Sequence, residues 1–562
     1  MRHHHILRLL SPYWKSRDKW CGLGLVFVVL SLGLLNTWLT VRFNAWYGSF
    51  FNALQKQDSV AFWAAVPMLI MLMVFPLMAT TASGFASSWL QLRWRRVLVD
   101  HLLGRWLSRK AYYRIERDGG GDNPDQRISE DVTQFIGATT ELTLGLITTL
   151  ASLGSFSYLT WTKGGNLDTV VFGFPVHIPG YMFWIALLFA GGDWLLAHSA
   201  GWRLMDLSVR REAVEADLRY ALVQTRDYAE QIAFYDGERT EHLRLMERFG
   251  SIWKVSKRIF IVDAQVALTA GLASGLVGVA PLLILAPHML SGEIDLGSLM
   301  ATTTAWAATA SGFAWFANKY GAIARYRAVI KRLWQLDEAI DGEASAGIEI
   351  QQSAEPALSS EDVTLMLPTG QTLSNVGSFT VLPGERWMIT GRSGVGKSTL
   401  LRAIAGLWPH GGGRITVPAT ASRLFLPQRS YIQAGTLKAA LCYPRVDDAF
   451  SDEACLAALS ECALEALRPR LHDTAQWSRM LSAGEQQRLA FARALLQKPD
   501  FLFLDEATSA LDPVTEEHLY KALLERLPKS ALVSVAHRTA LQVYHSKSLN
   551  LRPPTNAIPA QP

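Results

Sequence analysis

The sequence WMITGRSGVGKS, residues 387–398, decides the fold of the second half of this 562-residue chain. Its first four residues predict a strand, and the remaining eight fit the pattern GxxxxGK[ST]. Glycines at Gly391, Gly394 and Gly396 let backbone N–H groups surround phosphates where a helix begins. The stretch therefore predicts an α/β nucleotide-binding domain of the P-loop type.

The polar residues of this stretch are candidates for contact with ATP. Lys397 has the position that reaches β- and γ-phosphates, and the hydroxyl of Ser398 has the position that ligates Mg²⁺. Ser393 in the loop and Thr399 in the first helical turn complete the predicted nucleotide-binding set. ATP and Mg²⁺ are therefore the expected cofactors.

A second apolar strand, FLFL at residues 501–504, ends in two carboxylates. Asp505 is placed to hold Mg²⁺ through water, and Glu506 is placed to polarise the attacking water. A buried strand followed by a solvated acidic turn is the alternative interpretation. Between the two strands lies LSAGEQQR, residues 481–488, which precedes a helical stretch rich in Ala, Leu and Arg.

LSAGEQQR resembles the signature motif of the ATP-binding cassette (ABC) proteins, usually LSGGQ. The resemblance is specific because all three motifs occur in the family's order. It implies that Ser482 and Gly484 of one subunit close over the γ-phosphate bound by another, so that two ATP molecules are sandwiched. Ala483 and Glu485 depart from the usual glycine and glutamine.

The same resemblance assigns roles to three further residues. Gln428 in LPQ becomes the Q-loop residue, a catalytic and Mg²⁺-binding candidate, and Asp512 becomes the D-loop aspartate. His537 becomes the switch histidine, although a lone histidine is more often a packed or surface residue. Residues 362–368 lack the aromatic side chain that commonly stacks on adenine, which predicts apolar contact and looser base selectivity.

The first half of the chain carries six apolar segments long enough to cross a bilayer, which needs about 20 helical residues. They lie near residues 20–41, 60–83, 135–160, 179–200, 264–289 and 297–318. Buried helices of a large soluble protein are disfavoured because the pattern repeats six times. The predicted fold is a six-helix transmembrane domain (1–340), a linker (341–357), a nucleotide-binding domain (358–552) and a flexible tail (553–562).

Lys and Arg are strongly segregated around these segments. Twenty-five lie before the first segment and in residues 87–133 and 202–262, whereas the opposite loops contain only Arg42, Lys56 and Lys163. The positive-inside rule places the N-terminus, both long loops and the soluble half in the cytoplasm. A net charge of +5 over this length predicts no nucleic-acid partner. The four cysteines lack metal spacing and are interpreted as packing residues.

The polar stretch GDNPDQRISED, residues 121–131, interrupts the apolar half. Gly119 and the two glycines after it are expected to end the helix that continues the second segment, and Pro124 to fix a turn. Ser129 or Asp125 can cap the next helix. The cytoplasmic loops at 110–130 and 212–240 are candidate coupling elements, and a solvated turn is the alternative for the first.

A narrower resemblance rests on NPDQRISED (123–131), RDYAEQIAFYDGE (226–238) and GLWP (406–409). It is similar to the branch that holds peroxisomal fatty acyl-CoA (ABCD-type) transporters and bacterial SbmA/BacA-like transporters with a fused cassette, the YddA group. The resemblance implies an ATP-driven half-transporter that acts as a homodimer in the bacterial inner membrane. Antimicrobial or bleomycin-like peptides or cobalamin are the favoured cargo, and lipid or fatty acyl conjugates are the alternative.

Two carboxylates within the predicted spans, Glu141 and Asp193, are costly in lipid, so each is expected to face a cavity or a partner. For Glu141, a pair with a cytoplasmic arginine is the alternative to a cargo site.

Overall fold

The computed structural model describes residues 3–119, 123–171, 174–342, 347–536 and 538–553. The chain divides into a first unit, Met1–Asp341, and a second unit, Gly342–Pro562. The first is helical and is called here the membrane unit, and the second is an α/β domain called here the cassette. Each is described by itself.

Among its described residues, the membrane unit consists of helices and one β-hairpin. The helices are α1 (His3–Trp14), α2 (Lys19–Gln55), α3 (Ser59–Leu107), α4 (Ala111–Arg117), α5 (Pro124–Gln126), α6 (Val132–Lys163), α7 (Tyr181–Asp227), α8 (Ala229–Phe234), α9 (Glu238–Leu290) and α10 (Leu296–Asp341). The hairpin of β1 (Asn166–Val171) and β2 (Phe174–Pro179) joins α6 to α7. Six helices, α2, α3, α6, α7, α9 and α10, have 32 to 53 residues. Each predicted apolar segment falls on one of them, except that residues 179 and 180 precede α7.

Three helical stretches among the described residues are long and apolar enough to cross a membrane: Lys19–Gln55, Ser59–Arg117 and Pro124–Lys163. Shorter apolar parts occupy Tyr181–Gly192 and Gly275–Leu290. With a rise of about 1.5 Å per residue, the 49 residues of α3 exceed the roughly 30 Å of a hydrocarbon core. The prediction that the helix of the second apolar segment continues well past residue 83 is confirmed up to Leu107. It ends there, before the glycines expected to end it, because Arg109 and Lys110 are in the left-handed conformation and a separate helix, α4, follows.

Helices α6 and α10 share a polar seam that continues into the predicted spans. Thr139 and Tyr326 are joined by a hydrogen bond of 2.9 Å between their hydroxyl groups, and so are Thr160 and Thr309, again at 2.9 Å. Both threonines of the second pair are fully buried. Because lipid offers hydroxyl groups no water, such hydrogen bonds between helices satisfy them and fix the pairing of the two helices.

The carboxylate of Glu141 forms an ion pair with Lys319 of α10. The partner is thus a residue of another long helix of the same unit and not the cytoplasmic arginine considered from sequence. Pairing lowers the cost of placing both charges next to lipid. The side chain of Asp193 lies outside the described residues.

The polar stretch at 121–131 is described from Asn123 onward. Asn123 is in the left-handed conformation, α5 begins at Pro124, and a wide turn over Arg127–Asp131 leads directly into α6. Proline suits this start because the first helical N–H groups have no partner within the helix. The expected cap at Ser129 or Asp125 is wrong: the Ser129 hydroxyl donates to the Asp125 carbonyl over 2.7 Å, inside the continuous turn.

Two charged residues of this stretch point into the membrane unit. Asp131 accepts two hydrogen bonds, of 2.7 and 2.6 Å, from the guanidinium of Arg332 on α10, and Arg127 donates to the Arg332 carbonyl at 3.1 Å. Arg127 and Asp131 are buried, at 7% and 4% exposure. These hydrogen bonds attach the start of α6 to α10. The outward face of the stretch is formed by four exposed residues, Asp125, Gln126, Ser129 and Glu130.

Helix α10 is fastened at both ends. At its start, Asn52 and Gln55 of α2 accept hydrogen bonds from the first backbone N–H groups, at 2.6 and 2.7 Å. At its end, Asp337 and Asp341 form ion pairs with Arg8 of α1 and Arg105 of α3. An apolar cluster with residues from α1, α3, α4, α6 and α10 packs around this end. The last helix of the membrane unit is therefore tied to five other helices, α1, α2, α3, α4 and α6.

The cassette contains two main sheets. A parallel sheet has the strand order β13 (Lys547–Asn550), β6 (Arg386–Thr390), β12 (Ala531–Val535), β11 (Phe501–Asp505) and β8 (Arg423–Leu426). A largely antiparallel sheet has the order β3 (Glu349–Ser353), β7 (Gly411–Pro418), β4 (Leu358–Met366) and β5 (Thr372–Val381). Parallel strands end at one edge, so the stretches after β6, β8 and β11 meet there.

The helices of the cassette cover the parallel sheet and complete its core. They are α11 (Lys397–Ile404), α12 (Leu437–Cys442), α13 (Asp452–Glu461), α14 (Trp477–Met480), α15 (Ala483–Gln497) and α16 (Pro513–Arg526). Two short strands, β9 (Gly435–Thr436) and β10 (Thr474–Ala475), pair with each other in an antiparallel arrangement. Cys442, Cys455 and Cys462 are buried in the larger apolar cluster, in agreement with their interpretation as packing residues. Burial raises the pKa of the Cys442 thiol to about 12.

We predict that Asp131→Asn destabilises the membrane unit, because it leaves the Arg332 guanidinium without its carboxylate. The expected loss is about 2 kcal/mol, below the cost of breaking a fully buried pair, since Arg332 is partly exposed. Thermal unfolding of the full chain in detergent measures it. Glu130→Gln, at the exposed neighbouring position, is the matched control and should leave the transition unchanged; equal effects of both variants would contradict the prediction.

Candidate ATP-binding and hydrolysis site

The loop between β6 and α11 has the backbone that a phosphate-binding loop requires. Gly391, Gly394 and Gly396 have φ angles of 144°, 79° and 99°, a region that favours glycine. At Gly391 a Cβ atom would lie 2.7 Å from the carbonyl oxygen of Leu551, which is closer than real Cβ contacts. The loop therefore keeps its N–H groups at the start of α11 only with glycine at these positions, and Ser393 is exposed among them.

The ammonium group of Lys397 lies across this loop. Its Nζ atom donates to the carbonyl oxygens of Gly391, at 2.9 Å, and Arg392, at 3.2 Å. The residue is only 6% exposed. Burial lowers the pKa of Lys397, and Glu506 and Asp505 act in the opposite direction. The loop thus holds the Lys397 ammonium group through hydrogen bonds to two neutral carbonyls, with the charges of Glu506 and Asp505 nearby.

The carboxyl end of β11 meets the first turn of α11. The Ser398 hydroxyl donates to Oδ1 of Asp505 over 2.7 Å, and Thr399 follows half-buried in the same turn. Burial raises the pKa of Asp505, while the hydrogen bond from Ser398 opposes this shift. An adjacent hydroxyl and carboxylate are the hard oxygen ligands that Mg²⁺ prefers, with water and phosphate completing its shell. The residues present therefore fit Mg²⁺.

Glu506 extends from the same strand end in a strained backbone. Its φ angle is 51°, and its N–H donates to the Val535 carbonyl at 3.0 Å. Its carboxylate accepts a hydrogen bond of 3.1 Å from the amide of Gln428, at the end of β8. Left-handed non-glycine residues cost free energy and collect at functional sites. The structure thus brings Gln428, Asp505 and Glu506, all chosen from sequence, to one edge of the sheet.

The signature residues form the N-terminus of α15. Ser482 is the N-cap, and it forms a capping box with Glu485. A Cβ atom on Gly484 would lie 3.2 Å from the carbonyl oxygen of Ala510, so the helix start packs tightly on the segment after β11. Ala483 is exposed.

Gln487, which the sequence did not single out, joins three of these segments. Its buried amide donates to Ser509 Oγ at 3.1 Å and to the Gln428 carbonyl at 3.4 Å, and its oxygen accepts from the Ala510 N–H at 3.0 Å. A polar residue on the buried side of an amphipathic helix was the available signal. Its hydrogen bonds fix the stretch carrying Gln428 relative to the start of α15.

The two remaining candidates differ in what the structure describes. Asp512 caps α16, accepting hydrogen bonds from the N–H groups of Val514 and Thr515 at 3.1 and 2.9 Å. Hydrogen bonds from Thr515 hold the pKa of Asp512 below its usual range. His537 lies outside the described residues. Its neighbour Arg538 donates to the buried carboxylate of Glu516 at 3.1 Å.

The segment expected to contact adenine is strand β4 and the residues after it. Val363 and Leu365 are buried in the core of the cassette, so their side chains are engaged there. Met366 and Leu367 are partly exposed, and the Trp408 indole donates to the Met366 carbonyl at 3.0 Å. Met366, Leu367 and the exposed Pro368 are the apolar side chains of this segment that remain for the predicted contact.

A loop with the backbone of a phosphate-binding loop, two adjacent carboxylates at a neighbouring strand end and a helical membrane unit in one chain are the features of an ATP-driven membrane transporter. The family model "ABC transporter transmembrane region 2" matches residues 6–290, and the model "ABC transporter" matches residues 374–509. The chain belongs to the ABC transporter family, as a half-transporter with a fused membrane region and cassette. It is a multi-pass inner-membrane protein that binds and hydrolyses ATP through its cytoplasmic cassette.

Relatives along nearly the whole chain agree with this assignment. The chain is 31% identical over 538 residues to the inner membrane ABC transporter ATP-binding protein YddA of Escherichia coli, covering 95% of this chain and 94% of that one. It is 33% identical to an uncharacterized ABC transporter ATP-binding protein of Haemophilus influenzae, covering 97% and 91%. It is 28% identical to the human lysosomal cobalamin transporter ABCD4, covering 97% and 93%.

A solved structure is similar in fold. A bacterial Atm1-family ABC exporter with ATP bound superposes with a TM-score of 0.75 at 18% identity, covering 95% of this chain and 94% of that chain. The predicted fold class, a helical transmembrane domain of the ABC exporter type followed by an α/β P-loop domain, is confirmed. So is the narrower resemblance to the branch with YddA and the ABCD proteins.

We predict that Lys397→Met abolishes ATP binding and leaves the cassette folded. The substitution keeps the length of the buried side chain and removes the cation that exchanges with phosphate. Binding of a fluorescent ATP analogue to the purified full chain measures it, with thermal unfolding alongside. Lys521→Met removes a lysine from an exposed ion pair with Glu517 and should bind normally; normal binding by Lys397→Met would contradict the assignment.

Proposed function

We propose that this chain acts as a homodimeric transporter that uses ATP hydrolysis to move bulky solutes, such as antimicrobial or bleomycin-like peptides or cobalamin. The observation that carries the proposal is the joined edge of the cassette, where Ser398 contacts Asp505 and Gln428 contacts Glu506. This hydrolytic edge belongs to the same chain as six long helices. In such a chain, we infer that ATP hydrolysis drives a conformational change of the membrane unit.

Each residue of the edge has a distinct task in the proposed reaction. Lys397 and the loop N–H groups would bind the phosphates. Ser398, Asp505 and Gln428 would hold Mg²⁺, which would supply positive charge next to the transferred phosphoryl group. Glu506 accepts a hydrogen bond from Gln428 and orients the attacking water. Asp512 and His537 complete the catalytic set by resemblance to the family.

A second copy of the chain is the proposed partner. Ser482 and Gly484 at the start of α15 supply a hydroxyl and backbone N–H groups, the donors that bind phosphate at a helix N-terminus. By family resemblance they close over the γ-phosphate held by the loop of the other copy. Two cassettes and two membrane units then form one transporter, with each ATP between a loop and a signature.

Two exposed segments of the membrane unit are proposed as coupling elements. One is the outward face of residues 125–130, which is backed by the buried Asp131 and Arg127. The other surrounds α8, where Tyr228, Phe234 and Tyr235 are exposed at 56%, 77% and 85%. Large exposed apolar side chains at a turn between two long helices are typical of a contact surface. Both segments lie within the loops predicted from sequence.

The cargo is proposed from the relatives and not from a site. One relative is named a lysosomal cobalamin transporter, and it matches 97% of this chain. That printed name supports cobalamin-like solutes, and the resemblance to SbmA/BacA-like proteins supports peptides. Lipid or fatty acyl conjugates use the same ATPase and remain the alternative outcome of the transport experiment.

We predict that Glu506→Gln reduces ATP turnover at least a hundredfold and retains ATP binding, because the amide cannot accept the proton of the attacking water. Steady-state hydrolysis and retention of radiolabelled ATP by the purified dimer measure the two effects. Glu517→Gln, on the exposed face of α16, is the control and should hydrolyse ATP normally. Undiminished hydrolysis by Glu506→Gln would mean that another group orients the water.

Transport itself is tested with the full-length protein in liposomes. Accumulation of labelled cobalamin, a bleomycin-type peptide and an acyl-CoA is followed with ATP on the cassette side. We expect ATP-dependent movement of cobalamin or the peptide, and none in the Glu506→Gln variant. Movement of the acyl-CoA alone would select the alternative cargo class, and movement of none would refute the proposed function.

A further inference from the structure

One carboxylate of the cassette occupies the position where the signature motif offers donors to phosphate. Glu485 Oε2 accepts hydrogen bonds from the backbone N–H of Ser482, at 2.8 Å, and from the Ser482 hydroxyl, at 2.7 Å. The hydroxyl oxygen in turn accepts from the Glu485 N–H at 3.3 Å. Both side chains therefore bond reciprocally, as in a capping box.

In this arrangement the Ser482 hydroxyl donates its proton to Glu485, whereas the proposed function requires that it donate to the γ-phosphate. A serine hydroxyl has one proton, and the carboxylate of Glu485 already holds it. A γ-phosphate oxygen must replace that carboxylate oxygen before Ser482 can donate to it. The signature residue is thus occupied by an anion of its own chain.

The charge of Glu485 is retained in this environment. Hydrogen bonds from Ser482 hold the pKa of Glu485 below its usual range, and Arg488 contributes in the same direction. The Arg488 guanidinium itself donates to the Ala463 carbonyl at 2.6 Å. Within the part of the chain that the structure describes, no Lys or Arg lies within ion-pair distance of Glu485, so its charge faces an incoming phosphate without a direct counterion.

We propose that Glu485 is a positioning residue that makes cassette closure conditional on the γ-phosphate. It holds the Ser482 hydroxyl in a self-capped state and repels anions, so the sandwich closes only when the contacts of a complete triphosphate outweigh both effects. After hydrolysis and loss of phosphate, Glu485 recaptures the hydroxyl and favours opening. The inference rests on the proposed contact between Ser482 and the γ-phosphate held by the second copy.

Replacing Glu485 with glutamine removes the negative charge and keeps the helix cap, so that the two effects can be measured separately. Its amide oxygen still accepts a hydrogen bond from the Ser482 N–H, so the helix start is retained. It lacks the negative charge, and it binds the hydroxyl proton less strongly, because hydrogen bonds to ionised acceptors are roughly twice as strong as neutral ones. Glu485→Gln therefore keeps the local fold and weakens both barriers to closure.

The experiment compares ATP hydrolysis by the full-length wild-type dimer and the Glu485→Gln variant. We expect the KM for ATP to fall about three- to tenfold, the size of exchanging one charged for one neutral interaction. The kcat should stay equal or fall, because release of the closed state becomes slower. The inhibition constant for ADP, which lacks the γ-phosphate, should remain unchanged.

Glu453→Gln is the matched control. Glu453 lies in the first turn of α13, whose N-cap Ser451 accepts a hydrogen bond from the Ala454 N–H at 3.3 Å. Glu453 carries the same charge in a first helical turn, one position closer to its N-cap than Glu485, and it lies outside the signature. The KM of the Glu453→Gln variant for ATP should therefore equal that of the wild type. A melting temperature for each variant detects any loss of the helix cap.

Parallel measurement of Ser482→Ala separates the inference from the proposed function. If Ser482→Ala hydrolyses ATP normally, the proposed signature contact is wrong. If Ser482→Ala is impaired while Glu485→Gln leaves the KM for ATP unchanged or raises it, only the inference is overturned. Equal changes in the KM for ATP and the inhibition constant for ADP would also overturn the inference. So would a lowered melting temperature that accounts for the kinetic change, because Glu485 would then act only as a helix cap.

Discussion

The hydrogen bond from Ser398 to Asp505 joins two strand ends that are not neighbours, and the ATP site depends on that convergence. The order β6, β12, β11 places the phosphate-binding loop and the acidic strand end on one edge, with β12 between them. Because β8 flanks β11, Gln428 reaches Glu506 from the other side. A parallel sheet with this order thus collects residues from distant parts of the chain without any loop crossing the core.

The membrane unit obeys a different constraint, the cost of polar groups that lack water. The polar groups at both ends of helix α10 have partners within the protein. Its first backbone N–H groups donate hydrogen bonds to α2, and the carboxylates at its other end pair with Arg8 and Arg105. Thr309 and Tyr326 are bonded to α6 between these ends. Since each interaction is internal, α10 and its neighbours form a connected frame. A force on the exposed face of residues 125–130 would reach that frame through Asp131.

Sequence patterns predicted those features that depend on local chemistry. Glycine spacing and the strand before it fixed the loop at 391–398, and hydropathy located the six long helices, because both signals lie within one continuous segment. The sequence did not reveal that Arg127 and Asp131 face inward or that Gln487 joins three segments, since each depends on a partner far along the chain. The expected cap at Ser129 failed for a related reason: Pro124 begins the helix earlier, and Ser129 then lies inside it.

The two departures from the usual signature motif, Ala483 and Glu485, have different structural consequences. Ala483 is exposed at the first position of α15, so its methyl group displaces nothing within the cassette. At Gly484 a Cβ atom would lie 3.2 Å from the Ala510 carbonyl oxygen, so a side chain there would require a small local shift, unlike the side chain of Ala483. Glu485 is compatible with folding because it caps the helix, yet its charge lies where phosphate is expected to bind. The hydrogen bonds between Ser482 and Glu485 stabilise the start of α15. In the proposed mechanism the same hydrogen bonds must break before Ser482 can donate to the γ-phosphate, so the pair that stabilises the free cassette would oppose its closure.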